Sequence, residues 1–299
     1  MKIAYIGLGK MGKNMVLRLL EQGMDLVVWN RSPEPVKEVV AAGATSASNF
    51  ADLLKALPER RVIWLMLTAG QVTDQIINEL LPHLKSGDLL IDGGNSFYKD
   101  TIRRSSELAK KGISYLDIGV SGGPGGARSG ACMMAGGNKA DYDYVLPVIK
   151  AACSQDAYGC VGGSGAGHFV KMIHNGIEYG MMQAIAEGAA VLEKSPLKPD
   201  LAEVFRIYNN RTVIESRLIN WAREAFEENP KLENISSVIA HTGEGEWTVA
   251  AAKELGIAVP IIEESFQVRV NSSQEPENFR NKVVSILRNK FGHHKVTKD

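Results

Sequence analysis

The chain has 299 residues, 34 Lys and Arg against 34 Asp and Glu, and 44% hydrophobic residues. That length accommodates two domains or one large one, and zero net charge excludes a global field that would attract nucleic acid, so an anionic ligand has to be held by a local cluster. No apolar run approaches the ~20 residues that span a bilayer. The chain enters a strand directly, without a signal-peptide pattern, and Cys132, Cys153 and Cys160 lack metal spacing. They read as buried thiols in a reducing cytoplasm, so no metal is expected.

Lys2–Ile6 reads as a short apolar strand, and Gly7-Leu8-Gly9-Lys10-Met11-Gly12 follows at once, ahead of an amphipathic helix from Lys13 to Leu20. Between a first strand and a helix, Gly-x-Gly-x-x-Gly is a dinucleotide fingerprint. The first glycine permits a tight turn, the second lets backbone approach a pyrophosphate, and the third lets helix pack on strand. The helix N-terminus then faces the phosphates. A second strand, Asp25–Trp29, ends in Asn30-Arg31-Ser32. An NAD-preferring fold usually has a carboxylate here for the ribose 2′-hydroxyl. A neutral Asn, then an Arg and a hydroxyl, favour the 2′-phosphate of NADP, with Arg31 as its partner or as a stacking plane on adenine. NAD remains the alternative, with Arg31 as a plain surface charge.

The β-α alternation continues. Helices are expected at 35–42 and after Asn49. A buried strand over 61–67 runs into Leu67, Thr68 and Ala69, which are cofactor candidates at its C-terminal end. Helix 72–81, strand 88–92, helix 99–111 and strand 114–119 follow. The stretch from Val120 to Ala127 reads as a loop rich in exposed backbone amides, and strands over 131–135 and 157–161 flank a helix over 140–152. Such alternation implies a doubly wound, Rossmann-type parallel sheet over 1–162, with ligands at the strand C-terminal ends. Asn95, Ser121, Gly122 and Gly123 sit at such ends.

From 163 to 299 strand signals vanish, so an all-helical domain for substrate binding and dimerisation is expected. Its helices fall near 166–194, 199–207, 211–226, 247–255, 260–270 and 276–290. The first is long and largely apolar. With Lys171 at zero, His174 falls near about −60°, Asn175 near +40°, Glu178 near −20° and Tyr179 near +80° at roughly 100° per residue. These five share one face, unlike the Glu, Lys and Gln pattern of a solvated stripe. Lys171 and Glu178, two turns apart, suit a base and an acid where burial brings their pKa values toward neutrality. Arg269 and Arg288 are candidates for anion contacts, with plain surface charge as the competing reading.

Together, Gly7-x-Gly9-x-x-Gly12, Asn30-Arg31-Ser32, Asp92-Gly93-Gly94-Asn95-Ser96, the run from Gly119 to Ala127 and the run from His168 to Tyr179 resemble the decarboxylating 6-phosphogluconate dehydrogenases, in matching order. The chain looks like their short form, with one helical unit in place of a duplicated one. The resemblance implies oxidation and decarboxylation of 6-phosphogluconate to ribulose 5-phosphate with NADP or NAD. It implies Lys171 as general base and Glu178 as the acid that protonates C1. Asn95, Ser121, Gly122, Gly123, His174 and Asn175 would hold carboxylate and hydroxyls, and Tyr179 and Arg269 the phosphate. Arg288 and His294, six residues apart near the C-terminus, would be donated by a neighbouring subunit of a homodimer or homotetramer. One segment departs: where the long enzymes have Lys-Gly-Thr-Gly-Lys-Trp, this chain reads Thr242-Gly243-Glu244-Gly245-Glu246-Trp247, with Thr242 at the first Lys and an acid-rich loop that is a poor phosphate ligand. The competing functions are a non-decarboxylating β-hydroxyacid dehydrogenase of the hydroxyisobutyrate or tartronate-semialdehyde type, and a non-catalytic dinucleotide-binding sensor. Neither nucleic acid nor membrane is an expected partner.

Overall fold

The structure, a computed structural model, describes residues 1–240, 243–292 and 296. The chain divides into two compact units, Met1–Lys171 and Met172–Asp299. The first contains β1 (Lys2–Ile6), α1 (Lys10–Glu21), β2 (Asp25–Trp29), α2 (Pro33–Ala41), β3 (Thr45–Ser46), α3 (Phe50–Lys55), β4 (Val62–Leu65), α4 (Gln71–Leu80), β5 (Leu89–Asp92), α5 (Tyr98–Ala109), β6 (Ser114–Ser121), α6 (Gly123–Ser129), β7 (Ala131–Gly136), α7 (Lys139–Ala152) and β8 (Cys153–Gly162). Helix α8 (Ala166–Lys194) begins in this unit. The second continues with α9 (Leu201–Tyr208), α10 (Arg217–Glu228), α11 (Glu244–Glu254), α12 (Pro260–Asn271) and α13 (Phe279–Gly292).

The eight strands form one sheet in the order β3-β2-β1-β4-β5-β6-β7-β8. From β1 the chain steps to one side, then returns to place β4 on the other, so the switch point lies between the C-terminal ends of β1 and β4. Strands β4 and β5 read Val-Ile-Trp-Leu and Leu-Leu-Ile-Asp, buried throughout, because helices cover both faces. Ile3 and Tyr5 belong to one core cluster, and Ala4 and Ile6 to the other. That is the two-residue alternation of a strand buried on both sides.

The sheet is parallel except at one step. Strand β7 runs antiparallel to β6, the one exception within the doubly wound parallel sheet that was expected. Only residues 122–130 connect the two strands, too few for the crossover of a dozen or more residues that parallel pairing needs. The same stretch, expected as a loop, contains the seven-residue α6 between Gly122 at φ 116° and Gly130 at φ 133°. Those left-handed termini let the chain enter and leave a short helix abruptly.

In the second unit, Met182, Ala186 and Ala189 of α8 pack with Phe205, Ile219, Phe226, Val283, Val284 and Leu287. Helix α10 starts at Arg217, later than the expected 211. Arg211 has φ 59°, which breaks helical continuity, and the Ser216 hydroxyl accepts from the Ile219 amide at 3.2 Å as a cap. Helix α11 starts three residues earlier than expected, because Gly243 adopts φ 98° and lets Glu244 open the helix. Among the described residues, no helix is long and apolar enough to cross a membrane.

Candidate active site

The glycines of the first loop divide three tasks. Gly7 has φ 99°, and a Cβ there would meet the Met66 carbonyl oxygen at 2.3 Å. A Cβ on Gly12 would sit 2.0 Å from the Gly7 carbonyl oxygen. Gly9 has nothing within 4 Å of a built Cβ. Two glycines therefore serve close packing, and the middle one leaves open space at the N-terminus of α1, where a pyrophosphate fits. Leu8 and Gly12 are buried, Met11 is half-buried, and Lys10 is exposed. The Leu8 amide donates to Asn30 Oδ1 at 2.9 Å, and Asn30 Nδ2 donates to the Ser32 carbonyl at 2.9 Å. Asn30 thus ties the glycine loop to the end of β2. Arg31 and Ser32 are exposed, and Arg31 borders an open depression of about 670 Å³ with Trp29, Lys37 and Ala47. Leu67, Thr68 and Ala69 follow β4 beside that loop. The Thr73 hydroxyl donates to the Thr68 carbonyl at 3.0 Å.

Two buried carboxylates shape the rest of this unit. Asp92, fully buried, accepts from the Gly94 amide at 3.0 Å, the Ser96 hydroxyl at 2.8 Å and the Tyr115 hydroxyl at 2.9 Å. It fixes the turn on which Asn95 is exposed. That turn passes so close to β4 that a Cβ on Gly94 would lie 2.7 Å from the Leu67 carbonyl oxygen. Asp117 accepts from the Gly165 amide at 2.8 Å and the His168 amide at 2.9 Å. A carboxylate at the start of α8 satisfies amides that have no helical partner and complements the helix dipole. His168 Nδ1 lies 2.7 Å from the Thr101 hydroxyl.

These anchors set Lys171. A Cβ on Gly119 would meet Lys171 Cβ at 2.4 Å and the Gly167 carbonyl oxygen at 2.9 Å. A Cβ on Gly167 would meet the Met134 carbonyl oxygen at 2.4 Å. Helix α8 therefore lies directly on the backbone of β6 and β7, and Lys171 is buried. Ser121 is two residues beyond Gly119 on β6, hence on the same face. Gly122 and Gly123, at φ 116° and 63°, lead into α6. Burial raises the Cys132 thiol pKa, and the Lys171 charge opposes that shift. Cys153 is buried and pushed up to about 12 by burial, whereas Cys132 and Cys160 are half-buried.

In the second unit, His174 Nδ1 lies 3.2 Å from Asn175 Oδ1 and 3.9 Å from Glu178 Oε2. The Arg269 guanidinium lies 3.3 Å from the centroid of the buried Tyr179 ring. A Cβ on Gly245 would meet Cε2 of that ring at 2.5 Å. Arg269 is 3% exposed, and its Nη2 has no hydrogen-bond partner. Burial, opposed by the charge of Tyr179, draws its pKa down to about 10. Arg288 is 6% exposed and lowered by burial, with the charges of Tyr179, Glu244 and Glu178 acting the other way. The surface reading of both arginines is corrected: each is buried in a cluster around Tyr179. Arg288, expected to reach the site of a neighbouring subunit, is buried within its own chain, where Tyr179, Glu244 and Glu178 act on its charge. Val283, Val284 and Leu287 bind α13 into the helical core, and the next residue is carried inward with them. His294 and Thr242 lie outside the described residues. Among the described residues, no group of three or more His, Cys, Asp or Glu side chains could hold a metal ion.

Residues 2–162 match the NAD binding domain of 6-phosphogluconate dehydrogenase, and residues 167–299 match the 6-phosphogluconate dehydrogenase C-terminal domain. The chain belongs to the 6-phosphogluconate dehydrogenase family. It is 39% identical to the NAD(+)-dependent, decarboxylating enzyme of Haloferax volcanii, over 100% of this chain and 99% of that one. It is 38% identical to the NADP(+)-dependent, decarboxylating enzyme of Bacillus subtilis, covering 93% of this chain and 63% of that longer one. The 6-phosphogluconate dehydrogenase of Plasmodium falciparum, solved apo, with NADP+ and with 6-phosphogluconate, superposes with a TM-score of 0.85 at 32% identity. That match covers 92% of this chain and 62% of that one. The family thus contains full-length relatives of this size and longer ones of which this chain spans under two thirds. The anchors Asp117, Thr101 and Gly245 escaped the sequence reading. Each acts on a residue far away in the chain, and a lone Asp, Thr or Gly carries no signal of that.

Proposed function

We propose that this chain catalyses the oxidative decarboxylation of 6-phosphogluconate to ribulose 5-phosphate and carbon dioxide, with hydride transfer to NADP. The observation that carries the reading is the buried arginine pair beside Tyr179, with Arg269 Nη2 unpaired. A planar guanidinium fork suits a phosphate, and a phosphomonoester dianion brings this arginine pair two negative charges that an unphosphorylated hydroxyacid, with only its carboxylate, lacks. This sets the phosphorylated substrate above a hydroxyisobutyrate-type substrate, and the buried Lys171 sets an enzyme above a sensor.

In this reading, neutral Lys171 accepts the proton of the C3 hydroxyl, and a nicotinamide dinucleotide held by the Gly7–Gly12 loop would supply the acceptor for the C3 hydride. Lys171, now an ammonium, polarises the new C3 carbonyl. The C1–C2 bond breaks, carbon dioxide leaves, and the electron pair moves into an enediol. Glu178 delivers the proton that completes the product at C1. Asn95, Ser121, Gly122, Gly123, His174 and Asn175 hold carboxylate and hydroxyls, and Tyr179, Arg269 and Arg288 hold phosphate. Arg31 and Ser32 receive the 2′-phosphate, and Asn30 presents no carboxylate to repel it.

The proposal includes a homodimer or homotetramer. Met181, Ile185 and Val191 of α8 line an apolar groove of about 560 Å³ with Val213 and Ile214, and Val191 and Val213 are exposed. A patch of this kind marks an interaction surface.

The test pairs 6-phosphogluconate with NADP and with NAD, following nicotinamide reduction and carbon dioxide release together, with 3-hydroxyisobutyrate as the unphosphorylated control. Stoichiometric carbon dioxide, with 6-phosphogluconate alone turned over, is expected. Reduction without carbon dioxide would refute decarboxylation, and preferred turnover of 3-hydroxyisobutyrate would refute the substrate. Mass in solution checks the oligomer.

A further inference from the structure

The cluster around Tyr179 contains one buried group that the proposed mechanism does not use. Glu244 is 6% exposed, in the first turn of α11, while Glu246 in the same turn is exposed. Its backbone is fixed: the Thr248 hydroxyl lies 2.8 Å from the Glu244 carbonyl oxygen and 2.9 Å from that of Met172 in α8. The approach is tight, since a Cβ on Gly176 would meet Thr248 Cγ2 at 2.6 Å. The next residue, Gly245, presses on the Tyr179 ring, which also stacks with Arg269. Glu244 is therefore held where its charge acts on both Tyr179 and Arg288.

Arg269 and Arg288 bring two buried positive charges to this cluster, and the two oppose each other. Two buried guanidiniums without a counter-ion carry a desolvation cost that repulsion increases. An ionised carboxylate only accepts hydrogen bonds, so Glu244 cannot donate to a phosphate. It occupies the part of the cluster's field that an arriving phosphate needs.

We propose that Glu244 is the resident counter-anion of the phosphate site. It offsets the buried charge of Arg288 while the site is empty, and it competes with a phosphomonoester dianion when substrate arrives. It is a specificity-determining residue that limits affinity for the phosphate, and the inference rests on the phosphate-site reading given above. The bland alternative is an acid that favours a helix N-terminus, a role Glu246 shares.

The test uses the full chain as wild type, Glu244→Gln, Glu244→Asp and Glu246→Gln. Thermal midpoints are measured over a series of inorganic phosphate concentrations, and KM for 6-phosphogluconate is measured in parallel. In Glu244→Gln the midpoint of the empty protein falls by about 2–8 °C. Half-saturating phosphate and KM both fall roughly three- to tenfold, as removal of one partly screened like charge requires. Glu244→Asp keeps the charge and stays near wild type, and it serves as the charge-retaining check if the Gln variant folds poorly. Glu246→Gln changes neither reading. Unchanged or raised half-saturating phosphate in Glu244→Gln overturns the proposal. So does a raised KM with unchanged phosphate response, which would make Glu244 a ligand of the sugar. Equal effects of Glu244→Gln and Glu246→Gln leave only the helix-dipole role and also overturn it, as does Glu244→Asp matching Glu244→Gln. A wild-type protein that neither responds to phosphate nor turns over 6-phosphogluconate would instead overturn the phosphate site itself.

Discussion

The glycine loop of the first unit and the Tyr179 cluster of the second assemble ligand groups by opposite means. The loop is contiguous: Gly7 and Gly12 are needed because backbone approaches within 2.3 and 2.0 Å of a would-be Cβ, and Gly9 leaves space open. Every constraint acts within a dozen residues or from the adjacent strand. The cluster gathers Tyr179, Gly245, Arg269 and Arg288 from α8, α11, α12 and α13. None of these has a local reason to be there; burial and charge hold them together. A contiguous site is specified by conformation, and a convergent one by electrostatic balance. The two should therefore fail differently under mutation.

The largest effect belongs to the residue on which neither kind of binding depends. Lys171→Met removes the proposed base while keeping a side chain of similar length against Gly119. Turnover should fall by at least about 10²–10⁴-fold, with NADPH affinity in a fluorescence titration close to wild type. Wild-type turnover in this variant would remove Lys171 from the mechanism. A matching loss of NADPH affinity would mean that α8 had shifted.

Within the loop, Gly12→Ala and Gly9→Ala should separate packing from binding. The Gly12 substitution forces backbone against backbone, so a loss of roughly 2–4 kcal/mol of unfolding free energy is expected. Gly9→Ala leaves stability within about 0.5 kcal/mol and raises KM for the dinucleotide by about tenfold or more. Denaturant unfolding and dinucleotide kinetics on both variants check this. Equal destabilisation would show that the loop is not divided as described.

In the cluster, Arg269→Lys keeps the charge and loses both the fork and the planar stack on Tyr179. KM for 6-phosphogluconate should rise about 10–100-fold, a cost of roughly 1.4–2.7 kcal/mol, with a much smaller change in kcat. A variant that lowers kcat with KM unchanged would place Arg269 near the reacting carbons instead of the phosphate.

The same contrast explains what could be read from the sequence. The first unit's alternation was legible because strands such as Val62–Leu65 are apolar over their whole length and each glycine turn follows a strand end. The antiparallel β7 was not legible, because it depends on the shortness of the 122–130 connection. In the helical unit, Lys171, His174, Asn175, Glu178 and Tyr179 were legible as one face of a helix. The depth of Arg269 and Arg288 was not, because an arginine on an amphipathic helix looks the same whether its tip meets water or a buried ring. Helix boundaries at 217 and 244 depended on single left-handed residues, Arg211 and Gly243. Only the glycine could have been suspected.

The smallest effect tests cofactor choice, where loop and side chain meet. Asn30 is engaged with the Leu8 amide and the Ser32 carbonyl, so it shapes the turn. Arg31, exposed beside the depression, is the charge proposed to distinguish a 2′-phosphate from a 2′-hydroxyl. An exposed ion pair contributes up to about 1 kcal/mol and is screened by salt. A charge-assisted contact to a phosphate is stronger, and at this exposure it contributes about 0.7–2 kcal/mol. Arg31→Ala should therefore raise KM for NADP by about three- to thirtyfold and leave KM for NAD within about twofold. The effect on NADP should shrink as ionic strength rises. Equal changes for both cofactors would reduce Arg31 to an adenine-stacking plane, and a wild-type preference for NAD would refute the NADP assignment while leaving the fingerprint loop intact.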